Sequence, residues 1–535
     1  MPPCHRLSPA HEIIRHIRQN ADPFAVLRLV QEGDLLLQRN LNNTGSEARA
    51  LDADAFQQSK YKLRARPWTN VAGDGIVSNL ITIVLASFSA PCVHESAFLA
   101  DFAAQDTSAL FCSPLLVNAM CAVGAFSSSH AEALDRLAID DLKLRERFYQ
   151  EAQRLLEIER GKPSVTTVQA LFLLYLYTGS AAMDRAGRVY RLTACEMYNR
   201  MRLGTQLLVR SPVTDPKSHE AQRKILSRIA WGAFCAESVM AYNYLQVSLI
   251  KIPSVPRLFG DQTGYATEEG NRPLGLEDAL AARCDVLAIF YRIASYEPRE
   301  PNDVGSEGDI RTRQRLYDAL SGWERILPPK SRYASEFAHH FHVLNAYYHF
   351  VAVVLWRPLQ DIDTTLRDNE SNAARLCISH CDALLKEIDE SKIDLQGDLL
   401  RRGTTAALYF WYMAAFTLVT MIKRHLDSRE PLVRVCRSLH SVAKCWPSAC
   451  VILQGVHGMS QQLRVVLPQE AAELCLEAGK MLDLSASLDI PVSWAIPRHA
   501  DLMELLSDHG ADTEEPAGVE LSKLISKWNT LSIEA

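Results

Sequence analysis

The side chains of this sequence that could hold a metal or move a proton fall into small, incomplete groups. Histidines cluster at His339, His340, His342 and His349. His342 and His349 lie two turns apart on one helix face, too far to share one ion unless another helix intervenes. Cys377 with Cys381, and Cys436 with His440, have the i,i+4 spacing that can chelate. A closed zinc shell takes four ligands. Pairs alone predict packed core side chains, and no metal or other cofactor is expected. Asp140-Asp141 has the look of a magnesium-diphosphate site, but Lys143, Arg145 and Arg147 follow it. That mixture predicts a solvated helix face with i,i+4 pairs. Neither His-Glu-x-x-His nor Gly-x-Ser-x-Gly occurs, so zinc-hydrolase and serine-hydrolase readings lack their first residues. Gly73-Asp-Gly75 has no third glycine and precedes an apolar run rather than following one, which argues against a dinucleotide site. No catalytic, metal or DNA-binding residue is identified.

The elements that would carry these residues read as helices. From Leu142 to Glu159, apolar residues recur at Leu144, Phe148, Ala152, Leu155 and Leu156, with charges opposite. Thr166 and Gln169 suit a capping box for the next helix. Its Ala170–Tyr177 stretch is apolar all round and should be central. The 187–201 pattern is helical, with Gly204 as its expected stop. Similar patterns follow at about 219–250, 277–297, 309–326, 336–356, 370–389, 400–425, 430–460 and 468–484. Strand alternation with hairpin signals is absent, and no fixed-period repeat appears. The fold class expected is all-α, a large multi-helix body without significant sheet. Polar, linker-like residues at 42–59 and two prolines in 490–497 bound that body. The expected division is 1–64, an N-terminal helical segment and linker; 65–485, the helical domain; and 486–535, a tail.

A chain 48% hydrophobic and 22% charged can bury a large core. Its net charge of −6 excludes a global basic footprint for nucleic acid. The clearest basic cluster is Lys60, Lys62, Arg64 and Arg66, read as a solvated linker, with a phosphate-contacting or nuclear-import patch as the alternative. The 13 cysteines are scattered among apolar neighbours and read as reduced core thiols. Met1-Pro-Pro-Cys-His5 opens a mixed, charged stretch without the apolar run of a signal peptide. Residues 403–422 are uncharged and long enough to span a bilayer. Their aromatics, Tyr409 to Tyr412, sit at the centre rather than at two interfacial belts, so a buried helix is expected and no membrane span.

Four segments carry a resemblance. They are Phe148–Leu156, Thr166–Leu174, Arg228-Ile-Ala-Trp-Gly-Ala-Phe234, and Leu344-Asn-Ala-Tyr-Tyr-His349 with Trp356-Arg-Pro358. With Pro67-Trp68-Thr69, the Ile76–Phe88 helix, Cys112–Ala119, Trp323-Glu324 and Cys445–Ala449, they resemble the fungal-specific transcription factor domain, or middle homology region, of zinc binuclear cluster regulators. The resemblance is nearest to the nitrate-assimilation and xylanolytic activators. It implies a nuclear regulator of RNA polymerase II transcription whose partners are the transcription machinery or a DNA-binding protein, with homo- or heterodimers left open. The other reading is an all-α small-molecule-binding protein or pathway enzyme without a DNA role.

The sequence departs from the family pattern in several places. Ala230-Trp231 and Glu237-Ser238 stand where relatives carry paired tryptophans and Asp-Arg. Gln246–Leu249 stands where Gly-Arg-Pro usually follows, and Asn345 replaces a histidine. Relatives also carry six cysteines within about thirty residues, binding two zinc ions beside a major-groove helix. Here Cys4 is the only cysteine before Cys92. Direct DNA contact through that module is therefore not expected of this sequence. Three arrangements follow: a truncated gene product, a cofactor for a DNA-binding relative, or DNA contact through another surface. In the tail, Leu521, Leu524, Ile525 and Trp528 follow an acidic stretch at i, i+3, i+4, i+7. They form a candidate activation segment, or a terminal helix docked on its own core.

Overall fold

The computed structural model describes residues 59–86, 92–127, 141–159, 161–203, 216–243, 248–260, 274–296, 304–334, 337–360, 372–394 and 405–481. Among them are fifteen α-helices and no strand; an isolated bridge joins Leu274 to Tyr333. In chain order the helices are α1 (Asp74–Ala86), α2 (Glu95–Ala104), α3 (Pro114–Gly124), α4 (Asp141–Glu159) and α5 (Val165–Ser180). Next come α6 (Asp184–Met201), α7 (Pro216–Asn243), α8 (Leu276–Ala294), α9 (Glu307–Ile326) and α10 (Ala338–Trp356). The last are α11 (Ala373–Asp394), α12 (Thr405–Met421), α13 (Arg429–Val442), α14 (Pro447–Gln462) and α15 (Gln469–Met481). The all-α expectation holds. The N-terminal segment before Ser59 and the tail with Leu521, Leu524, Ile525 and Trp528 lie outside the described residues.

Local signals set the helix ends. Ser113 accepts from the Leu116 amide at 3.2 Å, and Pro114 occupies the first turn of α3, where its missing N–H costs nothing. The start of α5 differs from the capping box expected at Thr166 and Gln169. Ser164 is the cap, accepting from Thr167 N at 3.0 Å. Gln169 is already inside the helix, and its Nε2 donates instead to the Cys92 carbonyl at 2.7 Å. Helix α6 stops before Gly204, at Arg202, which takes the left-handed conformation with φ of 46°. The single helix expected over 430–460 is two helices. Pro447 cannot continue the first one, and it opens α14 after the extended Trp446. Helix α10 ends at Trp356 in a 3-10 turn, Arg357–Leu359, where Pro358 enforces the stop.

A main apolar core runs from Ala65 to Ala478, and a smaller cluster forms around Val165, Leu203, Leu226 and Ile229. Helix α3 lies against α1, α4 and α5, and α5 pairs closely with α6. The α10–α11 pair is the most extensive helix contact, flanked by α8, α9 and α12. Helices α13, α14 and α15 close the far end, and α14 returns to α5. That return is fixed by two long-range bonds. Trp446 Nε1 donates to the Phe126 carbonyl at 2.9 Å, and Arg145 Nη1 donates to the Cys445 carbonyl at 3.0 Å. Gly124 permits a close crossing; a Cβ there would stand 2.7 Å from the Leu80 carbonyl oxygen.

Helix α12 is buried, with Phe410, Trp411 and Tyr412 in the core. No helix among the described residues is long and apolar enough to cross a membrane. None of the twelve described cysteines is in a disulfide, and all but the half-buried Cys445 are buried.

Candidate functional site in the helical core

The sequence motifs converge on polar groups sunk into an apolar interior. Burying a charge is costly unless it is paired and fully hydrogen-bonded, so these groups report where the body is held in one arrangement. The deepest pair joins α6 to α7. Arg191 Nε and Nη2 donate to the two Glu237 oxygens at 2.8 and 2.6 Å, and neither side chain reaches solvent. The Leu249 amide adds a third bond to Glu237, at 2.8 Å. Burial pulls the Arg191 pKa down, but the Glu237 carboxylate more than offsets it, and the net shift is upward. Glu237 occupies one of the positions where the sequence departs from the family pattern. The acidic charge is kept there, and its partner comes from another helix.

Arg228, in the same motif, is buried and meets the partly exposed Glu277 at the start of α8. Burial lowers the Arg228 pKa, opposed by Glu277 and Glu95. His94, the N-cap of α2, is held down to about 4 by burial and by Arg228. Trp231 is packed rather than presented: its Nε1 donates to the Val255 carbonyl at 3.3 Å, and its ring meets Phe234 edge-on. A third ion pair lies within α9. Arg313 Nε reaches both Asp309 oxygens at 3.0 and 3.1 Å, while Nη1 donates to the Leu355 carbonyl at 2.6 Å. Tyr296 and the Gly305 amide fill the remaining capacity of Asp309.

The histidine group resolves into two stations along the antiparallel α10–α11 seam. An intervening helix does supply partners, but to each histidine separately. His349 Nδ1 meets His380 Nδ1 at 2.9 Å, and Tyr317 meets His380 Nε2 at 3.2 Å. Burial, with each other's proximity for His349, holds the His349 pKa down to about 3 and that of His380 to about 4. Both rings are therefore neutral at physiological pH. Two turns away, His342 Nδ1 meets Glu387 Oε2 at 2.7 Å, and Asn345 donates to the other Glu387 oxygen at 3.2 Å. The His339 and His340 rings lie close near the start of α10, 3.9 Å between centroids and tilted by 49°.

The cysteine pairs are core thiols. Cys377 and Cys381 are fully buried on α11, and burial pushes the Cys377 thiol up to about 12. Cys436 is buried, while His440 turns to Glu477 at 3.1 Å. Lys60, Lys62, Arg64 and Arg66 are exposed, alternating with Tyr61, Leu63 and Ala65, which pack inward. Lys60 lies 3.5 Å from Glu95. Most of these contacts tie one helix to another, which suits them to fixing helix register. Arg191, Glu277 and His380 were not singled out from the sequence, because their partners lie on other helices and linear spacing carries no trace of them; Asp309 was missed although its partner Arg313 stands at i+4.

The fold of the described residues is thus all-α, and comparison with known proteins shows what the chain is similar to. Residues 84–250 match the fungal specific transcription factor domain, which spans α2 to α7 and ends just past Leu249. That segment is therefore similar to a domain of fungal transcription regulators. The chain is 23% identical over 440 residues to the notoamide biosynthesis transcriptional activator notL' of Aspergillus versicolor, covering 78% of this chain and 69% of that protein. It is 24% identical over 433 residues to the nitrogen assimilation transcription factor nit-4 of Neurospora crassa, covering 75% of this chain. With nirA of Emericella nidulans, also a nitrogen assimilation transcription factor, identity is 21% over 441 residues and 76% of this chain. The chain spans less than half the length of the latter two, 38% of nit-4 and 47% of nirA. The family and all three relatives carry the names of transcription factors rather than enzymes.

Proposed function

We propose that this protein regulates transcription by RNA polymerase II in the nucleus of a fungus, with the helical body as its regulatory module. The observation that carries this reading is collinearity. Similarity to named transcriptional activators runs through three quarters of the chain rather than through one motif. The buried ion pairs support a body with one well-defined arrangement, which a regulator needs if a signal is to shift it. Output passes through the acidic–apolar tail, with Leu521, Leu524, Ile525 and Trp528 as its contact residues, or through a partner that reads DNA.

Chromatin immunoprecipitation of the tagged protein, paired with DNA binding by the purified chain, tests this. Promoter occupancy in cells without binding in the tube assigns DNA reading to a partner. Absence of promoter occupancy, together with unchanged transcripts on deletion, would overturn the reading.

A further inference from the structure

We propose that His342, Glu387 and Glu390 form a binding site for a divalent transition-metal ion of the zinc class at the α10–α11 seam. The three residues converge from two helices. Glu387 and Glu390 are at i and i+3 on α11 and so project on one side, and His342 faces them from the first turns of α10. Their donor atoms all lie within 4.8 Å of one another. His342 Nδ1 stands 2.7 Å from Glu387 Oε2 and 3.9 Å from Glu390 Oε2. Ligands on a tetrahedral zinc at about 2.0–2.1 Å sit about 3.3 Å apart. The first separation must open slightly and the Glu390 carboxylate must swing inward. That carboxylate is the mobile member, since its side chain is 63% exposed, against 4% for His342.

Two features go beyond a chance cluster. The anchoring histidine is buried, so its ring is already positioned. Asn345, one turn further along α10, donates to the second oxygen of Glu387 and leaves Oε2 toward His342. That is the outer-shell support that orients carboxylate ligands in metal sites. One imidazole and two carboxylates match zinc better than calcium, which prefers six to eight oxygens. The fourth position faces the solvent side of the seam, where Glu390 lies, and water completes the shell. A bound ion would cross-link α10 and α11 at one end of the helix contact. The site is independent of the transcriptional reading; either can fail alone.

The test is zinc titration of the purified full chain against a chromogenic chelator, with cobalt as a spectroscopic reporter. We expect one equivalent bound, with affinity falling at least tenfold in His342→Asn and in Glu390→Gln. Glu390 is exposed, so its variant should fold normally, which circular dichroism checks. Cobalt should give weak visible bands without thiolate charge transfer. Unchanged affinity in Glu390→Gln, or a thiolate charge-transfer band showing that buried cysteines hold the ion, would overturn the assignment.

Discussion

Arg191 and Glu237 meet in a two-pronged contact wholly withdrawn from water, at 2.8 and 2.6 Å. The contact bolts α6 to α7 inside the segment that carries the family resemblance. Removing one partner leaves the other charge stranded, at a cost of about 3–5 kcal/mol. Glu237→Gln should therefore lower stability by roughly that amount in urea denaturation. The double variant Arg191→Met, Glu237→Leu should recover much of the loss, since an apolar pair of similar volume carries no desolvation cost. A double variant worse than either single one would contradict this account.

Acid should loosen the α10–α11 seam. His349 and His380 stay neutral in the folded protein down to about 3 and about 4, whereas unfolded histidines take up a proton near 6.5. Between those values the unfolded chain binds more protons. Stability is then full above about pH 6.5 and falls as pH drops, by up to about 1.4 kcal/mol per pH unit for each ring. Stability measured from pH 7 to pH 5 should decline less steeply in His380→Gln than in the native chain. Equal slopes would show that these rings do not govern the decline.

The α1–α3 crossing leaves no room for a methyl group. A Cβ on Gly124 would press on the Leu80 carbonyl oxygen at 2.7 Å, a backbone atom that cannot swing aside. Gly124→Ala should cost about 1–3 kcal/mol, despite the better helix propensity of alanine. Thermal unfolding reads this directly, and a neutral or stabilised variant would mean the helices separate easily.

Trp446 should be among the most sensitive positions. It is 1% exposed and donates to the Phe126 carbonyl. Trp446→Ala should cost about 3–5 kcal/mol from the cavity it leaves. Trp446→Phe keeps much of the volume and should lose less, about 1–3 kcal/mol, from the unsatisfied carbonyl. Reversal of that order would deny the hydrogen bond its role.

The proposed output segment can be tried away from the body. Residues Glu515–Ala535 fused to a foreign DNA-binding domain should raise reporter expression, and Leu524→Ala with Trp528→Ala should abolish the gain. A reporter that responds to neither fusion would leave output to a partner protein.

The helices were legible because their apolar faces repeat locally. α4 shows its face in Leu144, Phe148 and Ala152, each of which is buried. Boundaries were harder. The capping role at α5 falls to Ser164, and nothing in the apolar pattern separates it from Thr166. The break at Pro447 was visible as a residue, but apolar periodicity on both sides masked it. The polar core was legible only in fragments: His342 and His349 stood out by residue type, but their partners on α11 did not. Glu237 is 46 residues from Arg191, and His380 is 31 from His349. Such pairs exist only after α6 meets α7 and α11 meets α10, so the chain's linear spacing does not encode them.

The return of Trp446 and Arg145 across the body has a consequence for how this domain can be inherited and handled. The matched residues 84–250 contain Phe126 and Arg145, but the groups that cover them come from residues 445 and 446. Those residues are therefore not a transferable cassette. Cut out and attached to another protein, they would present to water an apolar face that natively belongs to the distant end of the same chain. Gene fusions that shuffle this region should succeed only when they carry the later helices along with it.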